Sequence, residues 1–316
     1  MFDPRNGDLS LRVTDLDLGP GTTEPDRINC FTIVWVESGS GAFSVDDAHL
    51  VFDAPCLLFS TPYQYLRLAP DCPTRGTILR FHANFLCVET YHHEVGCNGV
   101  LFNDPYGVPS VAIQGPDEAE VADLIGRIRR ELAGAGLAHS EVLVSYLKVL
   151  LVLATRLKLR EGARAVQTPG KRPAILDDLR DLIETNYRTL HAPTDYADRL
   201  HMTPKALGRV IREHLGKTLT SLIRDRVIKH AKWELLHTLR PVKEIAREVG
   251  YDDELYFSRL FKKATGYSPT FFREYETAIR GGSNLSISSR QPSIPPTALS
   301  GKNANNPASE PRKSGP

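Results

Sequence analysis

The sequence predicts a multidomain α+β protein: a β-barrel or sandwich carrying two C-terminal helices, then an all-α domain of about seven helices. Three observations carry this. The chain has 316 residues, more than one domain of the usual ~100–200 residues requires. Short β-rich runs before residue 113 give way to helical spacing after it. The charge is divided as well. Residues 1–170 hold 14 basic against 21 acidic side chains, residues 171–281 hold 21 against 16, and residues 282–316 hold 4 against 1. A near-neutral total of +1 therefore conceals an acidic half of −7 and a basic one of +5, an asymmetry that points to a polyanion-binding segment. With 41% hydrophobic and 24% charged residues, the composition excludes wholesale disorder and a disulfide scaffold.

Residues 1–25 are polar and acidic, with neither a basic lead-in nor an apolar signal core, so a cytoplasmic, nucleoid-associated protein is expected. The most apolar stretch, residues 142–154, contains Ser145, Tyr146 and Lys148 and is too short to span a bilayer, so no membrane partner is expected. Five cysteines, all within the first hundred residues, make an odd number without a secreted spacing and read as reduced thiols.

Strands are expected over about residues 30–113. Residues 31–36 are β-branched and aromatic, and Gly39-Ser-Gly41 turns the chain. Residues 42–45 and 49–52 follow around Asp46-Asp47, and Asp53-Ala-Pro55 makes the corner before residues 56–59. Turn signals every 8–12 residues suggest a barrel or sandwich. Helices follow over about residues 117–134, with Val121, Leu124, Ile125, Ile128 and Leu132 on one face, and over about 139–159. The second is apolar on most faces and needs burial on more than one side, either by packing on the barrel or by that packing together with a homodimer interface. Residues 161–174, with Gly162, Pro169, Gly170 and Pro173, read as a linker between a domain at 1–160 and one at 175–280. The Ser/Pro/Asn-rich residues 281–316 read as a disordered tail.

Within the basic half two segments echo each other about 50 residues apart. Tyr196-Ala-Asp-Arg-Leu200, His201-Met202, residues 203–212 and Gly216 match Ile245-Ala-Arg-Glu-Val249, Gly250-Tyr251, residues 252–262 and Gly266. Arg209 aligns with Arg259, and the second copy has one extra residue at its turn. Each copy is a short helix, a tight turn and a second helix ending at glycine. Leu207, Val210 and Ile211, or Phe257, Leu260 and Phe261, share a packing face, leaving Lys205, Arg209 and Arg212, or Ser258, Arg259 and Lys262, on the other. Thr203 and Asp252 stand where an N-cap oxygen is wanted. One face packs and the other enters a major groove, as in helix-turn-helix units. The helix expected between them, residues 219–236, is about 27 Å long. That approaches the ~34 Å helical turn of DNA, so both second helices would reach successive major grooves.

These residues resemble the DNA-binding domain of the AraC/XylS transcription regulators. The resemblance rests on Pro241-Val-Lys-Glu-Ile-Ala-Arg-Glu-Val-Gly-Tyr251, Tyr256-Phe-Ser-Arg-Leu-Phe-Lys-Lys263, Gly266 and Ser268-Pro269. In the first copy it rests on Leu200-His-Met-Thr-Pro204, Gly216-Lys217 and Ala231-Lys-Trp-Glu-Leu-Leu236. It implies seven helices with two helix-turn-helix units that read double-stranded promoter DNA, and RNA polymerase as a partner if the protein activates. Carried over by position, the base-facing residues are Lys205, Gly208, Arg209 and Arg212, then Glu254, Leu255, Ser258 and Arg259. Lys217, Lys262 and Lys263 are expected at phosphates. Gly208 departs from the usual larger residue, and Asp252-Asp253-Glu254 is acidic where a phosphate approaches, as an N-cap with first-turn acids would be.

Residues 30–113 resemble, less closely, the cupin-like sensor domain that precedes this DNA-binding domain in many regulators of that family. The resemblance implies a small-molecule effector or a packed core. The stretches that hold metal in enzymatic cupins offer only His49, with Tyr63 and Tyr65, so neither a catalytic metal nor another cofactor is expected. His82, Cys87, His92, His93 and Cys97 are of the types that bind zinc but lack a familiar spacing, so metal or thiol sensing stands beside a structural reading. The expected function is a sequence-specific, effector-responsive transcription regulator, not an enzyme. The alternative is a cupin-type metal-dependent enzyme with an accessory helical domain.

Overall fold

In the computed structural model, which describes residues 1–86, 100–102, 104–134, 136–167 and 173–280, nine antiparallel strands form two sheets. The strands are β1 (Leu11–Leu18), β2 (Asp26–Arg27), β3 (Phe31–Ser38), β4 (Ser40–Val45), β5 (Ala48–Asp53), β6 (Cys56–Ser60), β7 (Tyr65–Pro70), β8 (Thr74–Phe81) and β9 (Ser110–Ala112). One sheet runs β1-β8-β3-β6-β9 and the other β2-β7-β4-β5. Alternation along β3 and β6 divides two cores. Val34, Val36, Cys56 and Leu58 meet Phe43, Val45, Phe52 and Leu68 of the second sheet. Ile33, Trp35, Leu57 and Phe59 face the opposite way, into a cluster with the helices that follow. The larger sheet is thus covered on both sides, which is why β3 and β6 are nearly unbroken apolar runs.

β1 and β2 extend the sheets beyond the expected start near residue 30. Only Leu11 and Leu16 of β1 are buried, so its apolar signal is weak. Backbone pairing with β8, in register from Leu11↔Phe81 to Leu18↔Thr74, holds it.

Two helices pack on the larger sheet, α1 (Pro116–Ala133) and α2 (His139–Gln167). Leu143, Leu147, Leu150, Leu151 and Ala154 are buried there, while Val149 and Leu159 are exposed on the outer side of α2. This helix runs past the expected end near residue 159 and into the expected linker. Gly162 costs it some propensity, with no neighbour crowding the position.

Seven helices follow: α3 (Ile175–Asn186), α4 (Pro193–Arg199), α5 (Pro204–Leu215), α6 (Leu219–His237), α7 (Val242–Glu248), α8 (Glu254–Thr265) and α9 (Pro269–Ile279). Their core gathers Leu179, Ile183, Tyr196, Leu207, Ile211, Leu222, Val227, Leu235, Ile245, Phe257 and Phe261, all 0–2% exposed. The expected tail, residues 281–316, lies outside the described residues.

The two halves share a polar seam. Tyr63 and Tyr106 of the strand domain enter the helical core. The Tyr63 hydroxyl donates to Glu276 of α9, and Tyr106 donates to Glu184 of α3 at 3.0 Å. Arg224 pairs with Asp47 at 2.8 Å, Lys232 donates to the Pro62 carbonyl at 3.1 Å, and the His49 N–H donates to the Gly216 carbonyl at 3.1 Å. Near the N-terminus, the Phe2 N–H donates to Asn29 at 2.7 Å and the Phe2 carbonyl accepts from Tyr275 of α9 at 3.0 Å. Burial pushes the Glu276 carboxyl up, but His82, Arg280 and Tyr63 around it hold it below its ordinary value.

Candidate nucleic-acid interface

The internal repeat folds as two units with the same turn hydrogen bond. In the first, α4 ends at Leu200, the Met202 N–H returns to the Ala197 carbonyl at 2.9 Å, and His201 takes a left-handed conformation (φ 54°). In the second, α7 ends at Val249, the Tyr251 N–H returns to Ala246 at 2.8 Å, and the left-handed position is Gly250 (φ 95°). A Cβ on Gly250 would lie 2.0 Å from the Arg188 carbonyl oxygen, so that position requires glycine for space as well as for φ.

The second helix of each unit starts from a side-chain cap. Thr203 accepts from the Ala206 N–H at 3.2 Å, with Pro204 in the first turn. Asp253 accepts from the N–H groups of Leu255 at 2.8 Å and Tyr256 at 3.1 Å. The cap is therefore Asp253, where Asp252 was expected; the extra turn residue of the second copy moves it along by one. Both helices stop at left-handed glycines, Gly216 (φ 63°) and Gly266 (φ 89°).

The packing faces are buried: Leu207, Ile211, Phe257 and Phe261 are 0% exposed. On the opposite face of α5, Lys205, Arg209 and Arg212 are exposed and Gly208 is half-buried. On α8, Arg259, Lys262 and Lys263 are exposed, and Glu254 and Ser258 are half-buried. Leu255 is 73% exposed and Tyr256 50%, so an apolar pair stands at the leading end of α8. Tyr256 was not singled out from sequence, although its place one residue after Leu255 puts it in the same first turn. The two faces differ in charge: α5 has no acid in its first turn, whereas Glu254 opens α8 after Asp252 and Asp253.

Lys217 departs from the expectation of a phosphate contact. Its ammonium donates to the Pro105 carbonyl at 3.1 Å and pairs with Asp225 at 3.0 Å, with its side chain 11% exposed. It belongs to the seam. α6, of 19 residues, spans about 28 Å between the units.

Of the histidine–cysteine cluster, only His82 lies within the described residues; Cys87, His92, His93 and Cys97 lie outside them. The His82 ring is buried, its Nδ1 accepts from the Asn84 N–H at 3.2 Å, and Phe2 stacks on it at 4.5 Å. Its Nε2 is 3.7 Å from Glu276, beyond hydrogen-bond distance. Among the described residues, no group of three or more His, Cys, Asp or Glu side chains has a metal-binding arrangement, and no helix is long and apolar enough to cross a membrane. His49 is exposed and contributes its backbone to the seam.

Residues 196–275 match a family model described as a helix-turn-helix domain. The chain is 34% identical over 161 residues to the arabinose operon regulatory protein of Escherichia coli (strain K12), covering 50% of this chain and 53% of that protein. It is 25% identical over 174 residues to the HTH-type transcriptional activator RhaR of Enterobacter sp. (strain 638), covering 54% and 60%. The chain thus matches a little over half the length of these curated relatives. Among solved structures, it is similar to the C-terminal domain of AraT, a response regulator from Geobacillus stearothermophilus. That match has 35% identity and a TM-score of 0.31, over 32% of this chain and 85% of that one. It is also similar to ToxT from Vibrio cholerae, at 13% identity and a TM-score of 0.36, over 84% of this chain and 99% of that one.

Proposed function

We propose that the chain is an AraC/XylS-type protein by its helix-turn-helix half, and a sequence-specific regulator of transcription that reads promoter DNA. The observation that carries the reading is the pair of equivalent units. Each has a buried apolar face, a capped N-terminus, a left-handed stop and an outward face bearing arginine. α5 and α8 enter successive major grooves. Arg209 and Arg259 make bidentate contacts to guanine, with Lys205, Arg212, Glu254 and Ser258 flanking them. Gly208 lets the backbone of α5 approach the bases without reading one. Lys262 and Lys263 meet phosphates, which position the protein without specifying sequence.

The names of the relatives favour a regulator over the cupin-type enzyme. An effector acting through the strand domain, dimerisation through the exposed side of α2, and contact with RNA polymerase are parts of the same reading, set in the cytoplasm at the nucleoid.

Selection of bound sequences from a random duplex pool by the full-length protein, followed by mobility shift, tests it. Specific binding is expected, falling steeply as salt rises because phosphate contacts release counterions. Lys262→Ala and Lys263→Ala should each flatten the log–log salt slope by about 1 and leave the consensus unchanged. Failure to enrich any sequence would overturn the proposal.

A further inference from the structure

Three aromatic rings stand in a row along one side of α9. Tyr267 stacks on Phe271 with centroids 5.0 Å apart and 18° between the planes. Phe271 stacks in turn on Tyr275 at 5.6 Å and 15°. The positions follow one another by four residues, which aligns Phe271 and Tyr275 on one helix face and leaves Tyr267 at its head. Phe271 is 42% exposed and the two tyrosines are half-buried. The core does not need Phe271, because its neighbour Phe272 is the ring that enters the helical cluster. Residues 1 and 2 border the row on one side: the Tyr267 hydroxyl donates to Met1 Sδ at 3.4 Å and the Tyr275 hydroxyl to the Phe2 carbonyl at 3.0 Å. Glu274, three residues after Phe271, is exposed.

The chain carries a sequence suited to such a row. α9 ends at Ile279, and the residues beyond it include Arg290-Gln-Pro-Ser-Ile-Pro-Pro296. Pro292 and Pro295 are three residues apart, one turn of polyproline II, or roughly 9 Å. Ring spacings of 5.0 and 5.6 Å put Tyr267 and Tyr275 within about 11 Å of each other, so the two repeats match. Polyproline II docks on aromatic surfaces because its conformation is set in advance and little entropy is left to lose. Reach is sufficient as well. Phe271 lies about 12 Å back along α9 from Ile279, whereas residues 281–291 span up to ~36 Å when extended. Gly281-Gly282 gives the chain the freedom to reverse. Arg290, two residues before the first proline, complements the exposed Glu274. A tether this short supplies an effective concentration on the order of millimolar, so a weak contact suffices.

We propose that Pro292-Ser-Ile-Pro-Pro296 docks on the Tyr267–Phe271–Tyr275 row of its own chain, with Arg290 beside Glu274. The contact needs neither DNA nor an effector, so it stands apart from the function proposed above.

The test is timed trypsin digestion of the full-length protein, without DNA, read by intact-mass spectrometry. Arg290–Gln291 and Lys302–Asn303 are both tryptic bonds beyond α9, and only the first adjoins the docked prolines. Cleavage follows the population of the open form when opening and closing are fast. Phe271→Ser, and separately Pro292→Ala with Pro295→Ala, should each speed cleavage at Arg290 about fivefold or more and leave Lys302 unchanged. Neither change removes a buried side chain of the described fold, since Phe271 is exposed. Protection should be the same at about 1 and 50 µM protein, as docking within one chain requires. Equal rates at Arg290 in the wild type and both variants would overturn the proposal. So would a rate that responds to only one of the two changes, because prolines and row would then not be partners. Protection that grows with concentration would assign the row to a second copy and overturn it as well. With DNA absent, none of these failures touches the DNA-binding reading.

Discussion

Arg209 and Arg259 occupy equivalent places, one helical turn into α5 and α8, opposite faces on which Leu207, Ile211, Phe257 and Phe261 are fully buried. Because the two units would read separate half-sites, Arg209→Ala and Arg259→Ala should each relax base preference at a different position. The expected loss is about 1–3 kcal/mol of discrimination per contact, measured by competition with single-base variants of the selected site. Leu255 is 73% exposed at the leading end of α8, in company with Tyr256, and in the proposed groove an apolar side chain there would meet the thymine methyl. Leu255→Ala should lower thymine preference at one position while leaving the salt slope unchanged. The cysteines show the opposite use of a reactive side chain. Burial pushes the Cys30 and Cys56 thiols up to about 12, so both stay protonated at neutral pH. Timed iodoacetamide labelling read by mass spectrometry should modify partly exposed Cys72 well before either of them.

Among elements, the repeat was the most legible part of the sequence. Residues 196–216 and 245–266 share apolar spacing, turn position and terminal glycine, and both units fold with the same turn hydrogen bond. Two glycines within them play different parts. Gly208 has open space around it, so Gly208→Ala should stabilise α5 by up to about 1 kcal/mol in a thermal melt. Gly250 is left-handed against the Arg188 carbonyl, so Gly250→Ala should destabilise by about 1–3 kcal/mol or more. β1 was illegible for a physical reason. Most of its side chains face solvent or its rim, and it is a strand because β8 supplies its backbone partners, which no local pattern records. The extra length of α2 is similar: Gly162 reads as a breaker, yet one glycine in a long helix packed on a sheet is tolerated.

For the whole molecule, the seam decides how the acidic and basic halves meet. Glu276 is 1% exposed at its centre, and its carboxyl is held below its ordinary value. A depressed carboxyl contributes stability above its unfolded value and loses it as pH falls through the folded one. Glu276→Gln, which leaves Arg280 without its anion, should therefore cost about 1–3 kcal/mol at pH 7. The gap between wild type and variant should narrow as melts are taken from about pH 6 down to pH 3. A constant gap would mean that Glu276 acts through packing alone. One signal of this role was present in the sequence. Glu276 falls four residues after Phe272 and three before Ile279, on the apolar face of α9, where an acid must find partners. Its partners, Tyr63 and His82, lie about 200 residues earlier and no spacing links them. Lys217, which the resemblance puts at a phosphate, is drawn into the seam by Pro105 and Asp225, neither of which any local pattern links to it. By itself, the sequence determined the helix-turn-helix units and their outward arginines, because helical period, caps and stops are settled within a few residues of chain. Only the tertiary structure decided the two-sided burial of the larger sheet and the seam. Those depend on contacts between segments far apart in the chain, where burial and pairing energies outweigh local preference.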